Sequence, residues 1–150
     1  MQAMFGGAIA AILLGSYLHL IRGAYQVVDC VTDTKGCTTY TVAYFNDGMA
    51  QALSIVGGLV SALVIAELAA TKPGEAPAVR ALAADASDRS KFILKVVTAF
   101  YVLAWMLAGL TAFFIGLYHP QVLPPLTNLG QAWLGLAVAS AYAYFGIKAK

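Results

Sequence analysis

GMAQALSIVGGLVSALVIAELAA, residues Gly48 to Ala70, decides the architecture of this chain. The run holds a single charged side chain, Glu67, close to its far end. At about 1.5 Å of rise per residue, a helix of this length reaches roughly 35 Å, enough to cross a hydrocarbon core of about 30 Å. The only other structure that satisfies its backbone in lipid is a closed β-barrel, whose strands show as short alternating segments. This run is continuous and apolar, so it predicts a membrane-crossing helix.

Working outward, three further runs have the same character. Met4 to Ile21 carries no charge, and Phe92 to Leu117 carries Lys95 near its start. The last, over 128–147, lies between the proline-rich segment Pro120, Pro124, Pro125 and the tail Lys148-Ala149-Lys150. Across all 150 residues only 11% are charged and 61% are hydrophobic. A water-soluble domain carries about 25% charged residues, so this surface is built for lipid. The sequence thus predicts an all-α membrane protein, a single domain over 1–150. Its four transmembrane helices, about 4–21, 48–70, 92–117 and 128–147, form an antiparallel bundle. The first run is read as a retained helix, because Met1-Gln2-Ala3 lacks the basic side chain of a signal peptide and Tyr17-Leu18-His19 is no small-residue cleavage site.

Basic residues set the expected orientation. Lys72, Arg80, Arg89 and Lys91 lie between the second and third runs, and Lys148 and Lys150 follow the fourth. The first loop has only Arg22 and Lys35, diluted by Asp29, Asp33 and Asp47. Both termini and the basic middle loop are therefore expected in the cytoplasm, in a plasma or bacterial inner membrane. In the middle loop Pro73, Gly74 and Pro77 break the helix, and Ala78 to Ala86 is spaced for a short interfacial helix, with Asp85 or Ser87 as a cap before the third span.

The first outer loop has the most specific local pattern. Tyr25 to Thr32 and Cys37 to Val42 are rich in β-branched and aromatic residues, and Asp33-Thr34-Lys35-Gly36 separates them, with glycine where a left-handed residue suits a turn. A short β-hairpin follows, with Cys30 opposite Cys37. These only two cysteines fall on the oxidising side, which predicts a structural disulfide. A redox-active pair, free thiols or metal ligands are the alternatives, and the spacing is not that of Cys-x-x-Cys.

Charges inside a membrane are costly and draw attention. Glu67 and Lys95 sit at matching depth, about one turn in from the cytoplasmic ends of consecutive helices, and are expected to form an intramembrane ion pair; the alternative is that Lys95 extends to the interface while Glu67 sits among headgroups. His19 and His119 fall at the outer side and are weak candidates for a metal or haem, without ligand spacing to support them. No nucleophile–base–acid set, phosphate-binding glycine loop or paired carboxylates can be argued, no cofactor is implied, and no basic patch with aromatics suggests nucleic acid.

Small residues recur every fourth position: Ala3, Gly7, Ala11 and Gly15 on the first helix, and Ala50, Ser54, Gly58, Ala62, Ala66 and Ala70 on the second. Ala104, Ala108, Ala112 and Gly116 repeat this on the third, and Gly135, Ala139 and Ala143 on the fourth. Such stripes let helix backbones approach closely, which matters where lipid removes the hydrophobic force between helices. Tyr17, Tyr25, Tyr40, Tyr44, Tyr118 and Trp133 are expected in the outer interfacial belt, and Trp105 in mid-span against lipid or a neighbour. The functional expectation is a non-catalytic subunit that assembles through helix packing with itself or with other membrane proteins in the lipid bilayer. A small oligomeric channel or transporter comes next, then an outer-face thiol or metal redox protein.

Overall fold

A computed structural model of the chain describes residues 2–70 and 88–145 and, within them, all side chains but those of 2–4, 69, 70 and 143. Four helices account for almost all of it: α1 Gln2–Thr32, α2 Asp47–Ala70, α3 Asp88–Tyr118 and α4 Pro124–Phe145, with a short 3-10 turn at Val42–Tyr44. The expected interfacial helix at Ala78–Ala86 with its caps, and the basic Lys72, Arg80, Lys148 and Lys150, lie outside the described residues.

Three helices are long and apolar enough to cross a membrane, over Phe5–Thr32, Asp47–Leu68 and Asp88–Tyr118. α4 is about 33 Å long, but Pro124, Pro125, Asn128 and Gln131 near its start leave it outside that set. Pro124 opens it, where a missing N–H costs nothing. At the start of α2, the Asn46 side-chain carbonyl accepts the Met49 N–H at 2.9 Å, a cap for an otherwise unpaired donor.

The expected β-hairpin does not form: the described residues contain no strand. α1 instead continues unbroken through Cys30 to Thr32, more than ten residues past the expected end. Extending an existing helix fixes one residue per hydrogen bond and needs no new nucleus. Ile21, Ala24, Val27 and Val28, at helical spacing, are all buried in that extension. Packing along this face outweighs the weak strand preference of Val and Thr. The turn expected at Asp33–Gly36 is present, with the Asp33 carboxylate accepting the Lys35 N–H at 3.0 Å and Gly36 at a left-handed φ of 75°. It ends a helix rather than joining two strands.

Consecutive elements run in opposite directions. Gly23 on α1 meets Met49 on α2, whereas at the other end Ile9 and Leu13 share a groove with Leu59 and Leu63. On α3 and α4, Gly116 meets Thr127 and Gly109 meets Trp133. The order around the bundle is α1–α2–α4–α3, because α4 packs against both α2 and α3 while α2 and α3 touch only sparsely. Of the consecutive pairs, α2 and α3 are therefore diagonal. The link between α2 and α3, residues 71–87, is the longest of the three, so chain length permits that diagonal.

The core is a single cluster running from Leu14 to Val28 on α1, Leu53 to Val64 on α2, Trp105 to Ala112 on α3 and Leu123 to Trp133 on α4. On α3 nothing before Trp105 is buried. The core therefore lies toward the end of the bundle that carries the cysteines, called the disulfide end below.

Candidate functional site

Two tryptophans stand behind a groove between α2 and α4. The Trp105 indole N–H donates to the Ser61 hydroxyl at 2.9 Å, both side chains being buried. This bond ties α3 to α2 across the diagonal. Trp133 from α4 lies against Trp105, with ring centroids 5.7 Å apart and planes tilted by 56°. Its own N–H is buried without a hydrogen-bond partner, and its ring lies where a side chain on Gly109 would project. Glycine makes room for it. The same device recurs along the α3–α4 seam: a Cβ on Gly130 would come within 2.6 Å of the Phe113 Cα, and one on Gly116 within 2.9 Å of the Thr127 Cα. The backbones touch there.

In front of this seal, between the parallel helices α2 and α4, runs a groove of about 470 Å³. Gly57, Gly58 and Ala132 leave it hollow, Tyr17 and Trp133 line it, and Gln51, Ser54 and Asn128 stand at its disulfide end. No charged residue lines it. A recess of this size and lining suits an uncharged, mostly apolar ligand.

The predicted site residues separate into three groups. Cys30 and Cys37 are joined, with Cα atoms 5.1 Å apart, so the expected disulfide is present on a different scaffold: it staples the last turn of α1 to the loop that follows. Glu67 is half-buried on α2 and Lys95 exposed on α3, and no ion pair joins them among the described residues. Matching depth on consecutive helices was the basis for pairing them, and the diagonal arrangement of α2 and α3 removes that basis. His19 and His119 are both exposed and apart: His119 shares a shallow pocket with Tyr25, Asp29 and Thr32, whereas His19 is about 15 Å down α1 from Asp29. No group of three His, Cys, Asp or Glu side chains among the described residues could hold a metal ion.

The small-residue stripes also divide. On α3, Ala108, Ala112 and Gly116 are buried against α4. Gly7, Ala11 and Gly15 on α1, and Ser54, Gly58 and Ala62 on α2, are exposed. A Cβ on Gly7, Gly15 or Gly58 would meet nothing within 4 Å. The six-residue stripe on α2, chosen from the sequence as the best candidate for a buried face, is thus mostly an outer one.

Sequence reasoning placed Tyr17 and Trp133 in an interfacial belt, and both are instead buried, at 1% and 5% exposure. The signal was legible in part, since Leu14, Tyr17, Ile21 and Ala24 follow the helical period. The pairing of Trp105 with Ser61, 44 residues apart, left no local trace. No family model, no curated protein and no solved structure matches this chain.

Proposed function

We propose that the chain is a non-catalytic integral membrane subunit that assembles with copies of itself or with larger membrane proteins. It crosses the bilayer four times as an antiparallel bundle, with the disulfide end outside and both termini in the cytoplasm of a plasma or bacterial inner membrane. The observation that carries this reading is the outward Gly7–Ala11–Gly15 ladder, which none of the described helices covers. In lipid, helices associate by close packing over such small residues. The α3 stripe supports the same logic, since within the chain it is spent on contact with α4.

Mass measurement in mild detergent and in lipid nanodiscs, with identification of co-purifying chains, tests the proposal. The expected result is a complex larger than one chain. Gly15→Leu is expected to leave the single chain folded, because Gly15 is exposed and a Cβ there meets nothing within 4 Å, and to disperse the complex. A wild-type chain that stays monomeric and alone in nanodiscs overturns the reading.

A further inference from the structure

The groove between α2 and α4 has donors at one end and, among the described residues, no groups that receive them. Gln51 is about 10 Å from the middle of the α2 span, and Asn128 the same distance from the middle of α4, toward the same end. Ser54 follows one turn deeper than Gln51. All three line the groove and are exposed, and none has a hydrogen-bond partner among the described residues. A polar group in hydrocarbon without a partner is costly. Half of a core of about 30 Å is about 15 Å, so Gln51 and Asn128 lie roughly 5 Å beneath the level of the lipid esters, within reach of an extended carboxamide, and Ser54 lies roughly 10 Å beneath it. The acceptors a bilayer offers at that level are ester carbonyls. Below the donors the lining is mostly apolar, past Gly58 and Ala132 to Leu136 near the middle of the membrane, and the Ser61 hydroxyl on its wall already accepts from Trp105.

We infer that this groove is a binding site for a glycerolipid of the leaflet at the disulfide end. Its ester carbonyls accept from Gln51 and Asn128, and one acyl chain lies along Ser54, Gly58 and Ala132 against Trp133. The absence of any charged lining residue directs recognition to the esters and away from the phosphate. Which leaflet of the cell membrane this is rests on the orientation proposed above; the site itself does not, and it is separate from the α1 ladder.

Trp133 supplies the readout. It is one of two tryptophans, it lines the groove, and the other, Trp105, is 1% exposed in the core. The full-length protein is placed in vesicles of phosphatidylcholine brominated at the middle of its acyl chains, which quenches nearby tryptophan. Unbrominated competitors are then added, either ester-linked phosphatidylcholine or its ether-linked analogue with the same headgroup. The expected result is that the ester lipid relieves quenching at least threefold more effectively than the ether lipid. Gln51→Leu with Asn128→Leu abolishes that preference. Gly58→Leu, whose Cβ meets nothing within 4 Å and whose side chain takes up space in the groove, lowers the quenching itself. Helical content by circular dichroism checks that each variant is folded. Equal competition by ester and ether lipids in the wild-type protein overturns the inference, as does a preference that survives both sets of substitutions. So does an absence of quenching in the wild type, which means that a second copy or another protein covers the groove. Mass in the same vesicles separates these outcomes from failure of the assembly reading.

Discussion

At the disulfide end, α1 and α3 are packed on every side that faces the bundle; at their other ends, they are not. Leu14, Tyr17, Ile21, Ala24 and Val28 are buried on α1, and Trp105, Ala108 and Ala112 on α3. Toward the far end, Phe5 and Ile12 on α1 are 71% and 67% exposed, and Phe92 and Phe100 on α3 are 67% and 68% exposed. The residue types are alike in the two halves, so apolarity does not explain the contrast. Small residues do. Where glycine and alanine face a neighbouring helix, as at Gly109, Gly116 and Gly130, backbones close up and large side chains such as Trp133 fit beside them. Where they face outward, as at Gly7 and Gly15, they seal nothing within the chain. In water the exposed phenylalanines would collapse inward; in lipid they lose nothing by staying out.

A side chain forced into the sealed half is expected to have the largest effect. Gly130→Val places a Cβ against the Phe113 backbone, which has nowhere to move. We expect it to destabilise the protein by about 3 kcal/mol or more, measured by thermal or denaturant unfolding in detergent. The same change at Gly15, in open space, is expected to shift monomer stability by less than about 0.5 kcal/mol. Equal effects at the two positions would show that the halves do not differ.

Next in size is the staple. Replacing Cys30 and Cys37 together by serine removes closure of a short loop, worth about 2.5 kcal/mol in the chain-entropy treatment. Hydrogen exchange should rise over the last turns of α1 and the loop after it, while residues 5–13 stay as they were. A uniform rise along α1 would mean that the disulfide supports the whole bundle.

A smaller effect is expected across the diagonal. Ser61→Ala leaves the buried Trp105 N–H without its acceptor, at a cost of about 1–3 kcal/mol, with a change in tryptophan emission as the ring loses its partner. An unchanged spectrum and stability would mean that this bond contributes nothing to joining α2 and α3.

The smallest concerns Glu67 and Lys95. With the two on diagonal helices and Lys95 exposed, a double-mutant cycle through Glu67→Gln and Lys95→Gln should give a coupling below about 0.5 kcal/mol, in the range of weak surface pairs. A coupling above about 1 kcal/mol would show that the two charges meet.

Much of this molecule was readable before any coordinates. The ends of α2 follow from its unbroken apolar run, because in lipid a helix can stop only where charge or proline arrives, and Asp47 and the Thr71–Pro73 segment supply both. The disulfide was legible because two cysteines seven residues apart, on one side of a predicted span, have only each other. The helical path of residues 22–32, where a hairpin was expected, was not, since this stretch satisfies two periodicities: its β-branched residues suit a strand, and the phase it continues from Ile21 through Ala24 to Val28 suits a helix. Burial against neighbouring elements chose the helix, and burial is not local information. The groove was invisible for the same reason. Gln51 and Asn128 are 77 positions apart in sequence, and only the parallel packing of α2 and α4 brings them to one rim.

Composition and uninterrupted runs by themselves determined that the chain is helical and apolar enough for a membrane, because backbone hydrogen bonding in lipid leaves so few solutions. The tertiary structure alone decided which helix stands beside which, and hence which small residues are spent on contact and which remain outside. Four-residue spacing puts small side chains on one face of a helix, but the direction of that face is a rotation about the helix axis. Neighbouring helices fix that rotation, and no single helix encodes it.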